Sequence, residues 1–213
     1  MTPYFESDHG KLYNGDCLTI IPELEPVDLV LTDPPYGIGN KWVGGFGKNH
    51  GWSKSHLEKE IRNEWDSKPP SKKCLSIIQK ISQFQIIWGG NYFDLPVSRC
   101  WLVWAKPERG FTLAEAELAW TNADNVVRVY DRRRHESNRE HPTQKPLELF
   151  LWCLGLPWTL KSNVVLDPFL GSGTTAIACE RLKRKWIGIE ISEEYCEIAA
   201  KRIENETRQL KLF

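Results

Sequence analysis

The sequence predicts an α/β fold with a mixed, mostly parallel sheet, three layers and an antiparallel hairpin at one edge. Residues 163–190 alternate strand, glycine-rich turn, helix and strand, which is the order of a βαβ unit in a parallel sheet. A short apolar run over 27–32 predicts another strand, and the two prolines after it must take the chain out of the sheet. With 213 residues, the chain has the length of one domain.

The other elements follow from hydrophobic periodicity and turn residues. Two predicted strands, 117–120 and 125–130, flank the turn 122–124 and form the edge hairpin. The remaining predicted strands cover 85–88 and 99–105, and the predicted helices cover 74–81, 145–156, 174–183 and the region after 193. Between 38 and 70 the chain is rich in glycine and charge, which predicts a long, mobile loop.

The composition excludes several classes of protein. Lysine plus arginine and aspartate plus glutamate both number 28, so any nucleic-acid contact must come from a local patch rather than an overall positive field. The six cysteines form no C-x-x-C pair, which predicts reduced thiols and no metal site. No stretch approaches 18 apolar residues and no apolar signal region is present, which predicts a cytoplasmic protein without a membrane partner.

A glycine-rich turn follows the strand at 163–166 and opens the next helix. Gly171 and Gly173 let the backbone turn tightly and approach a ligand. Glu190, at the tip of the next strand, suits the two hydroxyl groups of a ribose. The spacing also matches the dinucleotide fingerprint G-x-G-x-x-G/A, so it predicts an adenosine-type cofactor without saying which one.

A second motif, Asp33-Pro34-Pro35-Tyr36, stands at a strand end, where ligands of open α/β sheets bind. The Asp33 carboxylate and the Pro34 carbonyl are both hydrogen-bond acceptors and together suit a planar amino group with two N–H donors. Tyr36 offers a flat face on which a base stacks. Two acceptors on the two hydrogens favour a tetrahedral nitrogen whose lone pair attacks a methyl group, so the motif predicts electrostatic and orientational catalysis.

In this order, the motifs resemble those of the DNA amino-methyltransferases that use S-adenosylmethionine, in the permuted class where the catalytic half precedes the cofactor half. The resemblance rests on 13–17 (YNGDC), 33–36 (DPPY), 141–146 (HPTQKP) and 167–173 (DPFLGSG). The segment WGGNYF at 88–93 further resembles adenine methyltransferases of phage and prophage. The family implies one methyltransferase domain with a Rossmann-like fold, with a catalytic half over about 10–135 and a cofactor half over about 141–213.

The resemblance also implies roles for the motif residues. The residues implied to hold and activate the target amino group are Asp33, Pro34, Pro35 and Tyr36. Those implied to bind S-adenosylmethionine are Asp16, Cys17, Thr143, Lys145, Asp167, Phe169, Gly171, Gly173, Thr174 and Glu190. An aspartate in the first position of the catalytic motif favours adenine N6, because cytosine N4 enzymes of the family more often carry serine there. Methylation of a ring carbon needs a Pro-Cys nucleophile, and the sequence has no Pro-Cys dipeptide.

The predicted polymer substrate is double-stranded DNA, whose target base must be flipped out of the stack. Basic and aromatic residues in two segments are the predicted DNA contacts: Lys41, Trp42, Lys48, Trp52, Arg132, Arg133, Arg134 and Arg139. Recognition of the target sequence must come from 38–70, from 131–140 or from a second subunit, which leaves a homodimer open. Neither the recognition sequence nor a restriction partner follows from these residues.

Three alternatives stay open at this point. Cytosine N4 or an RNA amino group would use the same kind of turn, although many RNA enzymes place the cofactor half first. A nicotinamide-dependent oxidoreductase would use the glycine turn but leaves the segment 33–36 unexplained. A non-catalytic DNA-binding relative is disfavoured by the intact Asp33, Pro34 and Tyr36.

Overall fold

The computed structural model describes residues 1–38, 68–107, 114–132 and 145–210. The strands in these segments are β1 (Phe5–Glu6), β2 (Gly10–Asn14), β3 (Val27–Thr32), β4 (Ser82–Trp88), β5 (Trp101–Ala105), β6 (Ala116–Thr121), β7 (Arg128–Asp131), β8 (Val164–Asp167) and β9 (Lys185–Glu190). The helices are α1 (Cys17–Ile20), α2 (Lys72–Ile81), α3 (Leu147–Leu154), α4 (Thr174–Arg181) and α5 (Glu193–Leu210). Two short 3-10 turns cover Ile21–Glu23 and Gly90–Tyr92.

The nine strands described form one sheet in the order β1-β2-β9-β8-β3-β4-β6-β5-β7. The run from β2 through β9, β8 and β3 to β4 is parallel throughout, and β5 and β7 are also parallel. Antiparallel pairing joins β1 to β2, β4 to β6, and β6 to β5. The predicted mixed, mostly parallel sheet is therefore confirmed.

Helices cover both faces of this sheet, which confirms the three predicted layers. Leu29 and Leu31 of β3 point to one face and belong to a core that includes residues of α3, α4 and α5. Val30 points to the other face and packs in a second core with Ile20 of α1 and Ile78 of α2. This alternation is the period-2 pattern of a strand buried on both sides. Among the described residues, no helix is long and apolar enough to cross a lipid bilayer.

The predicted hairpin over 117–130 is wrong in its pairing. Both predicted strands exist, as β6 and β7, but β5 lies between them and pairs with each. The physical reason is that β6 already uses its other edge on β4, while Asn122 in the turn accepts a hydrogen bond from the Gln85 N–H (2.9 Å) and so ties the turn to β4. An antiparallel edge hairpin does occur, at the opposite edge of the sheet, between β1 and β2.

Local sequence explains where the helices beside the site begin. The Asp16 carboxylate accepts a hydrogen bond from the Leu18 N–H (2.8 Å) and so caps α1. The Ser71 hydroxyl accepts one from the Cys74 N–H (3.1 Å) and caps α2. Helix α4 starts after Gly173, whose φ of 88° lies in the left-handed region that favours glycine. The apolar or helical sequence around Cys153, Cys179 and Cys196 predicts burial for those three, and all six cysteines are buried with free thiols.

Candidate active site

Two aspartates lie at the ends of adjacent parallel strands. Asp167 is the last residue of β8, and Asp33 directly follows Thr32, the last residue of β3. The two strands pair, and the Thr32 hydroxyl donates a hydrogen bond of 2.7 Å to Asp167 Oδ1. Because the carboxyl ends of parallel strands meet at one edge, segments 135 residues apart in the chain come together there.

Asp33 is held by a lysine and a tyrosine. Lys145 Nζ lies 2.6 Å from Asp33 Oδ1, and the Tyr36 hydroxyl donates to the same oxygen at 2.7 Å. Lys145 Nζ also lies 2.7 Å from the Tyr36 hydroxyl, so the three groups form a closed triangle. Burial raises the pKa of Asp33, and the Lys145 ammonium opposes that rise. The Asp33 side chain nevertheless keeps 25% of its surface exposed, which leaves it reachable by a ligand.

A second carboxylate, Glu117 of β6, completes this cluster. Its Oε2 lies 3.1 Å from Lys145 Nζ, and its Oε1 accepts a hydrogen bond from Lys106 Nζ. Burial would raise the pKa of Glu117, but the two lysines outweigh burial and lower that pKa to about 2. Burial would likewise lower the pKa of Lys145, but Asp33 and Glu117 raise it above its ordinary value. The cluster therefore holds two carboxylates and two ammonium groups at neutral pH.

The ring of Tyr36 is fixed by close packing. A side chain at Gly89 would place its Cβ 2.1 Å from the Tyr36 ring, so only glycine allows this approach. Tyr92 stacks on Tyr36 with ring centroids 5.0 Å apart and an interplanar angle of 18°. Phe93 meets the same ring edge-on at 6.2 Å. With a side chain that is 47% exposed, Tyr92 extends the aromatic surface of the catalytic motif towards solvent.

The glycine-rich turn between β8 and α4 has the form expected of a cofactor loop. Gly171 has a φ of 53°, and a Cβ built there would meet nothing within 4 Å, so open space lies beside the loop. Glu190, which ends β9, accepts hydrogen bonds from the Gly171 N–H (2.8 Å) and the Ser192 N–H (2.9 Å) and remains partly exposed. Phe169 is also partly exposed, whereas Thr174 is buried. These features fit an adenosine-type cofactor.

Asp167 and the segment 15–17 support this loop. The Asp167 carboxylate accepts hydrogen bonds from Thr175 Oγ1 (2.5 Å) and the Phe169 N–H (3.1 Å) as well as from Thr32. Its burial raises its pKa to about 6. Gly15 follows β2 and donates a 2.9 Å hydrogen bond to the Glu190 carbonyl, which brings Asp16 and Cys17 to the same edge. Cys17 is buried, with its Sγ 3.5 Å from that of Cys74.

Most of the other predicted site residues lie outside the part of the chain that the structure describes. Those outside the described residues are Thr143, Lys41, Trp42, Lys48, Trp52, Arg133, Arg134 and Arg139. Arg132 is described and forms an ion pair with Glu148 of α3 (3.0 Å). Within the described segments, no cluster of three or more His, Cys, Asp or Glu residues could hold a metal ion.

Sequence reasoning did not single out Glu117, Lys106 or Tyr92. A signal for Glu117 was available, because β6 alternates and places this carboxylate on the same face as the buried Ala119 and Thr121. A carboxylate on a buried strand face needs a charged partner. Lys106 likewise continues the alternation of β5, in which Leu102 and Trp104 are buried, and Tyr92 lies within the segment 88–93 that resembles adenine methyltransferases.

The fold and site define an α/β protein with an adenosine-type cofactor loop beside an acceptor-lined strand end. The family model described as DNA methylase, for N6 and N4 methyltransferases, matches residues 58–201, which is more than half of the chain. The chain therefore belongs to this family of DNA amino-methyltransferases, whose members act on adenine N6 or cytosine N4.

Curated relatives and solved structures agree with this placement. The Type II methyltransferase M2.DpnII of Streptococcus pneumoniae is 49% identical, over 96% of this chain and 93% of its own length. The Type II methyltransferase M2.MboI of Moraxella bovis is 28% identical, over 98% and 93%. The PvuII DNA methyltransferase, which is cytosine-N4-specific, shares the fold with a TM-score of 0.61 at 18% identity, over 97% of this chain and 94% of that one. The M1.HpyAVI–SAM complex also shares the fold, with a TM-score of 0.57 at 21% identity, over 91% of this chain and 98% of that one.

Proposed function

We propose that this protein transfers a methyl group from S-adenosylmethionine to the exocyclic N6 amino group of adenine in double-stranded DNA. The observation that carries the proposal is the partly exposed Asp33 carboxylate, which lies beside the Tyr36 ring and one strand away from the glycine loop. The open space at Gly171 and Glu190 at the end of β9 support a cofactor site at the same edge of the sheet.

The residues at the catalytic strand end would act by orientation and charge. The Asp33 carboxylate and the Pro34 carbonyl accept the two N–H bonds of the amino group, which favours a tetrahedral nitrogen with its lone pair available. The ring of Tyr36, fixed by Gly89 and Tyr92, stacks on the flipped base. Pro35 follows Pro34 and restricts its backbone, so the carbonyl keeps its direction. No covalent bond to the protein is needed.

The cofactor site would use the glycine loop and its neighbours. When bound, S-adenosylmethionine would supply an electrophilic methyl group on a sulfonium centre and leave as S-adenosylhomocysteine, and the methylated nitrogen would give up one proton to solvent. Gly171 and Gly173 let the backbone approach it, Glu190 accepts from the ribose hydroxyls, and Phe169 contributes apolar contact. Asp16 and Cys17 lie at the next strand end, beside the adenine. Asp167, Thr143 and Lys145 are proposed for the methionine end, where Lys145 would act by its charge because its ammonium already contacts Asp33, Tyr36 and Glu117. Thr174 opens α4.

DNA contacts would come from the basic and aromatic residues of 38–70 and 131–140. Arg132 pairs with Glu148, so its phosphate contact would compete with an existing ion pair. The side chains proposed to contact the phosphates or bases of DNA are Lys41, Trp42, Lys48, Trp52, Arg132, Arg133, Arg134 and Arg139.

The adenine assignment rests on the aspartate in the first motif position, and cytosine N4 is the second candidate. The PvuII DNA methyltransferase, which shares the fold, is named as cytosine-N4-specific. The fold by itself therefore does not favour adenine over cytosine.

The deciding experiment incubates the purified protein with S-adenosylmethionine and unmethylated genomic DNA, followed by nucleoside mass spectrometry. We expect N6-methyladenine, and the modified positions would then define the recognition sequence. Appearance of N4-methylcytosine instead would contradict the choice of base. A parallel reaction with RNA tests the third candidate substrate.

A further inference from the structure

The ion cluster behind the catalytic strand end is more elaborate than binding an amino group requires. Asp33 and Glu117 share the Lys145 ammonium, and Glu117 has a second lysine, Lys106, on its other oxygen. Among the described residues, two carboxylates and two ammonium groups give the cluster a net charge of zero. Lys145 is 5% exposed and Lys106 is 6% exposed, so water does not screen these pairs effectively.

Lys145 is fixed in position by two hydrogen bonds and an ion pair. An ammonium group has three N–H donors. Three acceptors surround Lys145 Nζ: Asp33 Oδ1 at 2.6 Å, the Tyr36 hydroxyl at 2.7 Å and Glu117 Oε2 at 3.1 Å. The lysine comes from the segment before α3, Glu117 from β6, and the catalytic motif from the end of β3. Three separate parts of the fold therefore converge on one nitrogen.

This arrangement also selects which oxygen of Asp33 is available. Both side-chain hydrogen bonds that Asp33 makes within the described segments end on Oδ1. Oδ2 is therefore the oxygen that can accept from an incoming amino group. Because Lys145 and Tyr36 hold Oδ1 from two directions, they also set the direction in which Oδ2 points.

We infer that Lys145 and Glu117 are positioning residues for methyl transfer to an amino group. Lys145 orients Asp33 and Tyr36, and Glu117 shares the positive charge of Lys145 so that Asp33 remains an effective acceptor. This inference rests on one part of the proposed function, the transfer of a methyl group to an amino nitrogen. It holds whether that nitrogen belongs to adenine or to cytosine.

The two residues have opposite electrostatic effects on Asp33. The Lys145 ammonium lowers the pKa of Asp33, whereas the Glu117 carboxylate and burial raise it. Among the described residues, the other titratable groups that face the cluster are Tyr36, which donates to Asp33, Lys106, which pairs with Glu117, Asp167 at the neighbouring strand end, and the buried Cys153 thiol, which interacts with the Lys145 charge. Asp33 accepts an N–H bond more strongly when it is ionised, so we expect its pKa to set the acid limb of the rate.

The test measures single-turnover methyl transfer to DNA against pH for Lys145→Gln and Glu117→Gln. Loss of the ammonium should move the acid limb of Lys145→Gln to higher pH. Loss of the carboxylate should move the limb of Glu117→Gln to lower pH. The plateau rates should fall by about 100-fold and about tenfold, respectively, since misplaced catalytic groups cost rates of this order. Affinity for S-adenosylmethionine, measured by calorimetry, should change less than threefold in Glu117→Gln.

Two further variants separate positioning from structural damage. Glu115→Gln alters an exposed carboxylate two residues away on the same segment and should leave the rate and its acid limb unchanged. Lys145→Arg keeps the charge but not the tetrahedral geometry. It should therefore keep the acid limb near that of the wild type while lowering the plateau rate. This variant also tests the inference if Lys145→Gln does not fold.

The outcomes distinguish this inference from the proposed function. Acid limbs that move in opposite directions support the positioning roles. Limbs that move in the same direction, or stay fixed while the wild type methylates DNA, would overturn the inference alone. If the wild type transfers no methyl group to any DNA amino group, the proposed function fails and the inference fails with it.

Discussion

The two strand-end aspartates, Asp33 and Asp167, are adjacent in the sheet but have different surroundings. Asp33 is paired with an ammonium group and a phenol, and a quarter of its side-chain surface is exposed. Asp167 is buried and is satisfied by two hydroxyl groups and one backbone N–H. Burial raises the pKa of both carboxyl groups, but only Asp33 has a cation in hydrogen-bonding contact.

This difference fits the proposed division of roles, in which Asp33 would meet the substrate and Asp167 shapes the loop. Burial makes the Asp167 carboxylate bind a proton more readily, although its three neutral donors oppose this effect, and the carboxylate holds those donors in place. A carboxylate paired with a lysine stays ionised and keeps an acceptor oxygen for a ligand. The Thr32–Asp167 hydrogen bond links the two, so the loop and the catalytic motif keep a fixed spacing.

Replacement of the exposed aspartate should have the largest effect. Asp33→Ala removes the acceptor at the reacting nitrogen, so we expect the rate of methyl transfer to fall by at least about 1000-fold, or about 4 kcal/mol. Binding of S-adenosylmethionine should remain near that of the wild type, because Asp33 lies outside the glycine loop. Single-turnover assays and calorimetry measure the two quantities. A variant that keeps more than about a tenth of the rate would remove Asp33 from the catalytic role.

The buried aspartate should affect stability through pH. The pKa of Asp167 rises from its ordinary value of 3.8 to about 6 in the folded protein. Between these values the folded state binds more protons than the unfolded state, so this group makes the free energy of unfolding fall as pH rises from about 4 to about 6. The loss is up to about 3 kcal/mol.

Asp167→Asn tests this pH dependence, because the amide keeps the shape without titrating. The variant should lack the fall in unfolding free energy, measured by urea denaturation between pH 4 and 7. Asp124→Asn, at an exposed carboxylate paired with Arg99, is the matched control and should follow the wild type. Parallel curves for Asp167→Asn and the wild type would show that Asp167 does not titrate in this range.

Two glycines of the glycine-rich loop allow the effect of a substitution on cofactor affinity to be separated from its effect on stability. Gly171 and Gly173 both have φ in the left-handed region, so alanine at either should cost about 1–2 kcal/mol of stability. A Cβ at Gly173 would also lie 3.2 Å from Ala199, whereas one at Gly171 would enter the open space proposed for the cofactor. We therefore expect Gly171→Ala to lose about tenfold more cofactor affinity than Gly173→Ala, about 1.4 kcal/mol. Equal losses in calorimetric titrations would contradict this placement.

The smallest effect on the chemical step should come from the basic segment. Replacing Arg132, Arg133 and Arg134 together with alanine should weaken DNA binding and reduce the slope of log affinity against log salt by about 2–3, since each phosphate contact contributes about 0.9. The transfer rate on saturating DNA should stay within about threefold, because these residues are proposed to contact phosphate only. An unchanged salt slope would remove the phosphate role from this segment.

The sequence predicted the elements best where local signals and burial agree. The strand before the two prolines, β3, has the predicted bounds, and the βαβ unit of β8, α4 and β9 lies within one or two residues of its predicted limits. Glycine and proline act locally, so the turns at Asp33 and Gly171 could be located without knowledge of the rest of the chain.

The pairing of β6 with β5 and the charged cluster could not be predicted in the same way. Strand order depends on which edges are free after other strands have paired, and β5 occupies the edge of β6 that a hairpin with β7 needs. The cluster joins residues from β6, from the segment after β5 and from the segment before α3. Because these segments are separate in the chain, the spacing of the residues in the sequence does not predict that they meet. Glu117 and Lys106, each a charge in line with a buried strand face, were the local signals available.

The order of strands has a consequence for how the chain is made and folded. β2 and β3 are neighbours in sequence, yet β9 and β8 lie between them in the sheet. Until residues 164–190 have left the ribosome, the facing edges of both early strands have no native partner. Contacts of such long range close slowly and leave apolar edges open to other chains. We therefore expect both motif-bearing edges to become ordered late, in the same step that inserts β8 and β9.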